Sequence, residues 1–151
     1  MNLERIHYRM VEGTVNVQKF HEFLREINFP LHQKSYLIMD NSAVHKANKA
    51  CKGLGLLTIK ELLLSKNITP LYLPPYSPQL NPVELCFNTI KHFYRKHRPK
   101  TKEELQNVIE KAVDLLKEKD FTKYFYHCLN YFSEDKSPSN IDLIWGSKSG
   151  T

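Results

Sequence analysis

Two acidic residues, Asp40 and Glu84, each follow a short apolar stretch of the kind that forms a buried strand. Asp40 ends the sequence KSYLIMD, and Glu84 comes shortly after TPLYL, two residues beyond Pro82. Two carboxylates that meet in a partly desolvated cleft repel each other, and a divalent cation relieves that repulsion. Because the sequence offers hard oxygen ligands and no His or Cys cluster, it favours Mg²⁺ or Mn²⁺ over zinc. Such ions could activate a water and stabilise the leaving oxygen in phosphodiester cleavage.

A purely structural role explains the same two acids. Asp40 and Asn41 could cap the element that follows them. Glu84 could be the capping-box partner of Asn81, or a favourable negative charge at a helix N-terminus. The spacing of the residues leaves both interpretations open.

The elements that must hold these acids in place begin with three predicted strands. The sequence RIHYRMVEGTVN predicts a strand and turn, KSYLIMD predicts a second strand, and NITPLYL predicts a third that runs into a proline-kinked loop. Strands that alternate with helices indicate an α/β fold whose sheet is at least partly parallel. Ligand sites in such sheets lie at the carboxyl ends of the strands, where Asp40 is predicted to lie.

Helices are predicted between and after these strands. They span residues 17–27, about 43–65 with breaks at Gly53 and Gly55, 82–97, about 101–119, and 121–132. Asn16 is the expected cap of the first helix, which Pro30 ends, and Asn81 with Pro82 begins the third. Thr101 with Glu104 forms a capping box for the fourth helix. The polar tail is expected to fray, apart from a docking contact by Ile144 or Trp145.

The helix that begins at Pro82 carries two stripes of different character. The predicted core stripe comprises Val83, Phe87, Ile90 and Tyr94, and the neighbouring stripe comprises Glu84, Asn88, Lys91, Arg95 and Arg98. Between residues 85 and 102 there are six Lys or Arg residues and no acid. A carboxylate followed by a row of cations could hold a phosphate backbone beside a metal ion. The ordinary alternative is a solvated helix face.

Composition agrees with a polyanionic partner without requiring one. The net charge is +6 and the isoelectric point is near 9.2, values that an ordinary soluble protein can also reach. Cys51, Cys86 and Cys128 are widely spaced and form no C-x-x-C pair, which favours reduced thiols in an intracellular protein. Lys60 and Glu61 interrupt the most apolar stretch, so no membrane association is expected.

Both acids lie in motifs that resemble those of a known family. YLIMDNSAVHK and LYLPPYSPQLNPVELCFNTIK resemble the second and third acidic motifs of the DDE transposases of the mariner-like superfamily. The matching residues are Asp40, Asn41 and His45 in the first stretch, and Leu73, Pro74, Pro75, Tyr76, Ser77, Pro78, Leu80, Asn81, Pro82 and Glu84 in the second. Lys91 stands where the family usually has a lysine, and Phe87 where it has an aromatic residue, often Trp.

The resemblance implies a ribonuclease-H-like mixed sheet flanked by helices, with Mg²⁺ or Mn²⁺ ions held by three acids. It also implies DNA strand cleavage and strand transfer. Asp40 would be the second catalytic acid and Glu84 the third, and His45 would pack or hydrogen-bond near the site. The expected organisation is a partial catalytic domain over residues 1–119 and a C-terminal aromatic helix with a flexible tail over residues 120–151.

The chain departs from the family pattern at the first acid. Glu4 and Glu12 are acidic, but neither lies in the first acidic motif of the family. We therefore expect an N-terminally truncated domain that lacks the first Asp, the opening strands and the DNA-recognition region. The 43 residues between Asp40 and Glu84 also exceed the usual spacing, and the extra length is expected around CKGLGLLTIK.

Three functional hypotheses follow from these motifs. The chain could be a transposase fragment that is inactive alone, for want of the first Asp. It could be a non-catalytic remnant that binds DNA through Lys91, Arg95 and Arg98, or pairs with itself or with full-length transposase. It could also be a structural relic without a function. Whether it is an enzyme stays open, and the expected location is the nucleus in a eukaryote or the nucleoid-containing cytoplasm in a bacterium.

Overall fold

The computed structural model describes residues 6–28 and 34–130. These residues form two compact units that divide between Ser77 and Pro78. The first unit contains α1 (Val17–Glu26), β1 (Ser35–Met39), a 3₁₀ turn (Val44–Lys46), α2 (Asn48–Gly53), α3 (Ile59–Ser65) and β2 (Ile68–Tyr72). The second contains a 3₁₀ turn (Pro78–Leu80), α4 (Val83–His97), α5 (Lys102–Lys117) and α6 (Thr122–Leu129). The predicted functional boundary at residue 119 stays a prediction.

The two described strands form a parallel sheet, as the alternation of strands and helices predicted. Their register pairs Ser35 with Ile68 at one end and Met39 with Tyr72 at the other. The ladder is extended by the backbone N–H of Leu73, which donates to the carbonyl of Met39 at 2.8 Å. A parallel pair needs a long crossover, and α2 and α3 supply it. The mixed α/β class is therefore confirmed.

Helix α1 packs one apolar face on the core of the first unit. The Asn16 side chain accepts a hydrogen bond from the backbone N–H of Lys19 at 2.9 Å, which confirms the predicted cap. Leu24 is fully buried. The surrounding core comprises Met39, Cys51, Ile59, Leu62, Leu63 and Ile68, with Val17, Phe20, Phe23 and Ile27 packed against it.

The predicted strand at the start of the chain is wrong. Residues 6–16, which precede α1, form a non-regular segment. The Arg9 guanidinium lies 3.3 Å from the Glu26 carboxylate, and the Lys19 ammonium donates to the Glu12 carbonyl at 2.9 Å. A strand needs a neighbour for its ladder, and in the described part of the sheet the only paired strands are β1 and β2. Contacts with the helix hold this segment instead.

The helical region after β1 divides at the two glycines, as predicted. Helix α2 ends at Gly53, and Gly55 adopts φ +66°, a left-handed conformation that glycine tolerates best. Helix α3 then begins with a capping box that sequence analysis missed, although its T-x-x-E pattern is readable. The Thr58 N–H donates to the Glu61 carboxylate at 2.8 Å, and the Glu61 N–H donates to the Thr58 hydroxyl oxygen at 3.2 Å. The hydrogen bonds that the Thr58 N–H and hydroxyl donate to the Glu61 carboxylate lower the pKa of Glu61.

The second unit is helical, and α4 packs against α5. The Thr101 hydroxyl caps α5 by accepting from the N–H of Glu104 at 3.1 Å, while the Glu104 carboxylate accepts from the N–H of Lys100. The buried residues of α5 are Val108, Ala112, Val113 and Leu116. The predicted aromatic helix is confirmed as α6, which buries Phe125 and Cys128.

The predicted core stripe of α4 is wrong in part. Phe87 and Tyr94 are 47% and 49% exposed, and no residue of α4 is fully buried. Ile90 of the predicted stripe is half-buried, but Cys86 and Phe93 are half-buried in place of Phe87 and Tyr94. Each of these two side chains precedes the predicted one by one residue, so the covered stripe is rotated there by about 100° around the helix axis. Both stripes have helical periodicity, and only the packing of α5 decides which one is covered.

Some predictions fall outside the described residues. These are the helix end at Pro30, the flexible tail, and the docking contact by Ile144 or Trp145. Within residues 6–28 and 34–130, no helix has the length and apolarity needed to cross a membrane.

Candidate functional site

Asp40 lies immediately after β1, at the carboxyl end of the strand. Its side chain is 51% exposed, and Oδ1 accepts a hydrogen bond from the backbone N–H of Ser42 at 3.1 Å. This bond closes a local turn. It does not cap the element that follows, because the N-cap of the 3₁₀ turn Val44–Lys46 is Ala43 and that turn has no side-chain cap bond, so the predicted capping role is wrong. The carboxyl end of β2 lies beside that of β1, because Met39 pairs with Tyr72 in the parallel register. The acid therefore occupies the sheet edge at which α/β proteins bind ligands.

His45 orients this acid. Its Nδ1 lies 2.7 Å from Asp40 Oδ1 and 3.2 Å from the carbonyl of Asp40, and because both oxygens only accept, the ring donates from Nδ1. The ring packs against Phe20 of α1 with a centroid separation of 4.6 Å. The Tyr72 hydroxyl donates to the backbone carbonyl of His45 at 3.1 Å. Residues from α1 and β2 thus fix the histidine that holds Asp40.

The contacts of Asp40 leave one of its carboxylate oxygens open. Ser42 and His45 both use Oδ1, and Oδ2 has no hydrogen-bond or ion-pair partner in the described chain. A half-exposed carboxylate with one oxygen held and one free matches the donor that Mg²⁺ and Mn²⁺ prefer. The Lys46 ammonium lies 4.9 Å from the centre of the Tyr72 ring, so a positive charge stands at the same sheet edge.

The proline-rich loop leaves β2 at this edge. Tyr76 is fully exposed and adopts φ +55°, and the Ser77 hydroxyl donates to the carbonyl of Pro75 at 3.2 Å. A left-handed conformation costs a non-glycine residue about 1–2 kcal/mol. The loop holds that strain because Pro74 and Pro75 restrict the backbone before it.

Glu84 lies in the first turn of α4. Pro82 has helical φ and ψ of −57° and −27°, and the Asn81 side chain accepts from the N–H of Val83 at 3.3 Å. The backbone N–H of Asn81 donates to the carbonyl of Pro78, so a capping box with Glu84 does not form. Across residues 6–28 and 34–130, the Glu84 carboxylate finds no hydrogen-bond or ion-pair partner. Its position in the first turn of α4 places the negative charge where the helix dipole is favourable to it.

The cations predicted to bind DNA lie on α4 and at its end. Lys91, Arg95 and Arg98 are all exposed. None of the three forms an ion pair with the part of the chain that the structure describes. Arg98 ends the helix in a left-handed conformation with φ 45° and ψ 57°, where glycine is the usual residue. An arginine kept at this backbone position is under strain, which marks it as a candidate for function.

The structure describes the predicted site residues in two groups, each within its own unit. The first unit contains Asp40, Asn41, His45, Pro74, Pro75, Tyr76 and Ser77, and the second contains Pro78, Asn81, Pro82, Glu84, Lys91, Arg95 and Arg98. Among the described residues, no three His, Cys, Asp or Glu side chains form a group that could hold a metal ion. Tyr72 and Lys46 also support the site, and nothing in the sequence indicates this, because only the pairing of β1 with β2 brings them close to Asp40.

Comparison with known proteins identifies the family. The family model described as DDE superfamily endonuclease matches residues 2–106, and the chain belongs to this superfamily. Its members act on DNA and generally use divalent metal ions. The match includes both Asp40 and Glu84. No curated protein and no solved structure matches the chain.

Proposed function

We propose that this chain supplies the second and third acids of a metal-dependent DNA transposase of the mariner-like type, with a ribonuclease-H-like fold. The supporting observation is that one superfamily match spans both Asp40 and Glu84. Asp40 also keeps one carboxylate oxygen free at the carboxyl end of β1, where a metal ligand is needed.

In this proposal, Asp40 and Glu84 hold Mg²⁺ or Mn²⁺. When bound, the ion supplies an activated water and a charge that stabilises the leaving oxygen of the phosphodiester. His45 keeps the Asp40 carboxylate in one orientation, and the Ser42 N–H holds the same oxygen. The cations of α4 bind backbone phosphates and keep the DNA beside the acids.

We further propose that the chain alone cleaves DNA weakly or not at all. The matched motifs supply two acids, and the resemblance implies a third. With one bridging carboxylate fewer, the ions bind more weakly and the attacking water is less well oriented. Activity would then need a third acid from outside these 151 residues, for example from full-length transposase. The expected location remains the nucleus in a eukaryote or the nucleoid-containing cytoplasm in a bacterium.

A double-mutant cycle on Mn²⁺ binding tests whether the two acids share an ion. Mn²⁺ affinity is measured by electron paramagnetic resonance for the wild-type chain, Asp40→Asn, Glu84→Gln and the double variant. A shared ion predicts that each single change weakens binding and that the double change adds little, since the ligands act as one unit. Glu103→Gln, an exposed acid in the first turn of α5, is the matched control.

The proposal fails if Glu84→Gln binds Mn²⁺ as tightly as the wild-type chain. Losses that add fully in the double variant would also contradict it, because they would indicate two independent ions. Far-ultraviolet circular dichroism of each variant checks that the fold is retained.

A second candidate function is DNA binding without cleavage, and the exposed cations of α4 favour it. Salt-dependent binding in EDTA is measured for the wild-type chain and for Lys91→Gln/Arg95→Gln/Arg98→Gln. The logarithm of the binding constant falls linearly with the logarithm of the salt concentration, with a slope of about 0.9 per phosphate contact. Loss of three contacts should therefore reduce the magnitude of this slope by about 2.7. Lys49→Gln/Lys52→Gln/Lys60→Gln removes three exposed cations of the first unit and is the charge-matched control. Equal effects of the two triple variants would contradict a specific role for α4.

A further inference from the structure

One face of α4 combines exposed aromatic rings with cations. Phe87 and Tyr94 are each about half exposed, and Lys91 and Arg98 are exposed. At 100° per residue, Phe87, Lys91 and Tyr94 fall within about 60° of one another around the helix axis, and Arg98 follows at the C-cap of the helix. We call them the aromatic-cation face of α4. Neither Phe87 nor Tyr94 stacks on another ring in the described chain.

The chemistry of this face selects its partner. Exposed apolar groups rimmed by charge mark interaction surfaces. Since residues 85–102 carry six cations and no acid, a polyanion is the complementary partner. An apolar protein surface would cover Phe87 and Tyr94 but would also bury Lys91 without an acid to pair it, which is unfavourable. Aromatic rings interleaved with cations are instead the combination that binds single-stranded nucleic acid.

The form of DNA follows from what an aromatic ring can reach. In a duplex the bases stack on one another, so the flat face of a base is available only when that base is unpaired. Phe87 and Tyr94 are seven residues apart, which is about 10 Å along the helix axis. That distance exceeds the stacking repeat of about 3.4 Å in duplex DNA. The two rings would therefore take two separated bases, with Lys91 placed for a phosphate between them.

We propose that the aromatic-cation face of α4 binds unpaired bases of single-stranded DNA. This inference rests on the proposed function, since it takes DNA as the substrate, and it adds the single-stranded form of that substrate. Stacking by Phe87 and Tyr94 supplies the preference for unpaired bases. Lys91 and Arg98 supply the attraction to the phosphate backbone.

Fluorescence anisotropy on the full 151-residue chain in EDTA tests the proposal. The probes are a labelled thymidine oligonucleotide and a labelled duplex of the same length. Phe87→Ala/Tyr94→Ala should weaken binding to the single strand at least about tenfold, because each stacked base contributes on the order of 1–3 kcal/mol. Binding to the duplex should change by less than about twofold, since the phosphate contacts remain. Phe87→Trp/Tyr94→Trp should restore or tighten single-strand binding.

Tyr126→Ala is the matched control, because Tyr126 of α6 is 51% exposed and lies outside this face. If Phe87→Ala/Tyr94→Ala leaves single-strand binding unchanged, or weakens both probes equally, this inference is overturned while duplex binding still stands. If the wild-type chain binds neither probe, the proposed DNA function fails as well. A concentration-dependent dimer that Phe87→Ala/Tyr94→Ala abolishes would assign the face to a second copy and also overturn the inference.

Discussion

At Asp40, both hydrogen bonds to the carboxylate arrive on the same oxygen, and the shorter one, at 2.7 Å, comes from the ring of His45. The contact of this ring with Phe20 holds its plane, so the orientation of Asp40 depends on packing against α1. A partner that orients a metal-binding carboxylate typically affects metal affinity by about 10–100-fold. His45 is therefore a positioning residue in the proposed site.

We expect His45→Ala to weaken Mn²⁺ binding about tenfold, because Asp40 loses its orienting donor. His45→Asn should restore part of the affinity, since its side-chain amide can donate from nearly the same position. The measurement is Mn²⁺ titration followed by electron paramagnetic resonance, with thermal unfolding of both variants measured in parallel. Wild-type affinity in His45→Ala would show that the histidine does not position the acid.

The backbone at Tyr76 yields a second prediction at the scale of one residue. The ring is fully exposed, so its removal deletes no packing, whereas φ of +55° strains any residue other than Gly, Asn or Asp. Tyr76→Asn should raise the free energy of unfolding by up to about 1 kcal/mol, because asparagine tolerates the left-handed region. Tyr76→Ala keeps the strain and should be close to neutral. Urea denaturation compares the two, and equal stabilities would contradict this account.

Among the elements, α4 shows how far a periodic pattern can be trusted. Its beginning was predictable, because Asn81 and Pro82 have local roles that require no tertiary contact. Its buried face was not, because stripes through Phe87 and through Cys86 are both apolar at helical spacing. The position of α5 decides between them, and that information lies in a separate part of the chain. Phe87 and Tyr94, which the prediction placed in the core, are therefore about half exposed in the structure.

The packing of α4 also has a testable pH dependence. Burial raises the pKa of the Cys86 thiol to about 11 from its ordinary value of 9.0, and the Lys119 charge acts in the opposite direction. Because the pKa in the folded state lies above that in the unfolded state, the neutral thiol stabilises the fold at pH below 9. This contribution is lost as pH rises from about 9 to about 11.

We therefore expect the free energy of unfolding of the wild-type chain to fall more steeply from pH 9 to 11 than that of Cys86→Ser. The serine hydroxyl does not titrate in this range, so the difference between the two curves reports on Cys86. Alkylation by iodoacetamide should also be slow at pH 8, because the thiolate is the nucleophile. Parallel pH profiles for the two proteins would mean that the thiol is not buried against its neighbours.

For the whole molecule, the sequence predicted most of the elements and the parallel class of the sheet, but it did not predict the contacts between side chains of distant residues. The strands β1 and β2 were recognisable from apolar residues followed by Asp40 or by proline, and their parallel pairing followed from the helices between them. The first predicted strand had equally good alternation, yet Arg9 and Lys19 bind it to α1. The contact of His45 with Asp40 depends on a turn, and the support from Tyr72 depends on strand register. Such contacts join residues whose spacing in the sequence gives no sign of them.

The last prediction concerns the activity of the whole chain. Incubated with supercoiled DNA and Mn²⁺, the 151-residue chain should produce no nicking above background, because its matched motifs supply two of the three acids that the resemblance implies. Glu84→Gln prepared in the same way should be indistinguishable from it. Nicking by the wild-type chain that disappears in Glu84→Gln would show that Asp40 and Glu84 suffice, or that another acid of this chain completes the site. Loss of this nicking in Glu12→Gln as well would identify the acid of the VEGT sequence as the one that completes the site, because Asp40 and Glu84 are intact in that variant.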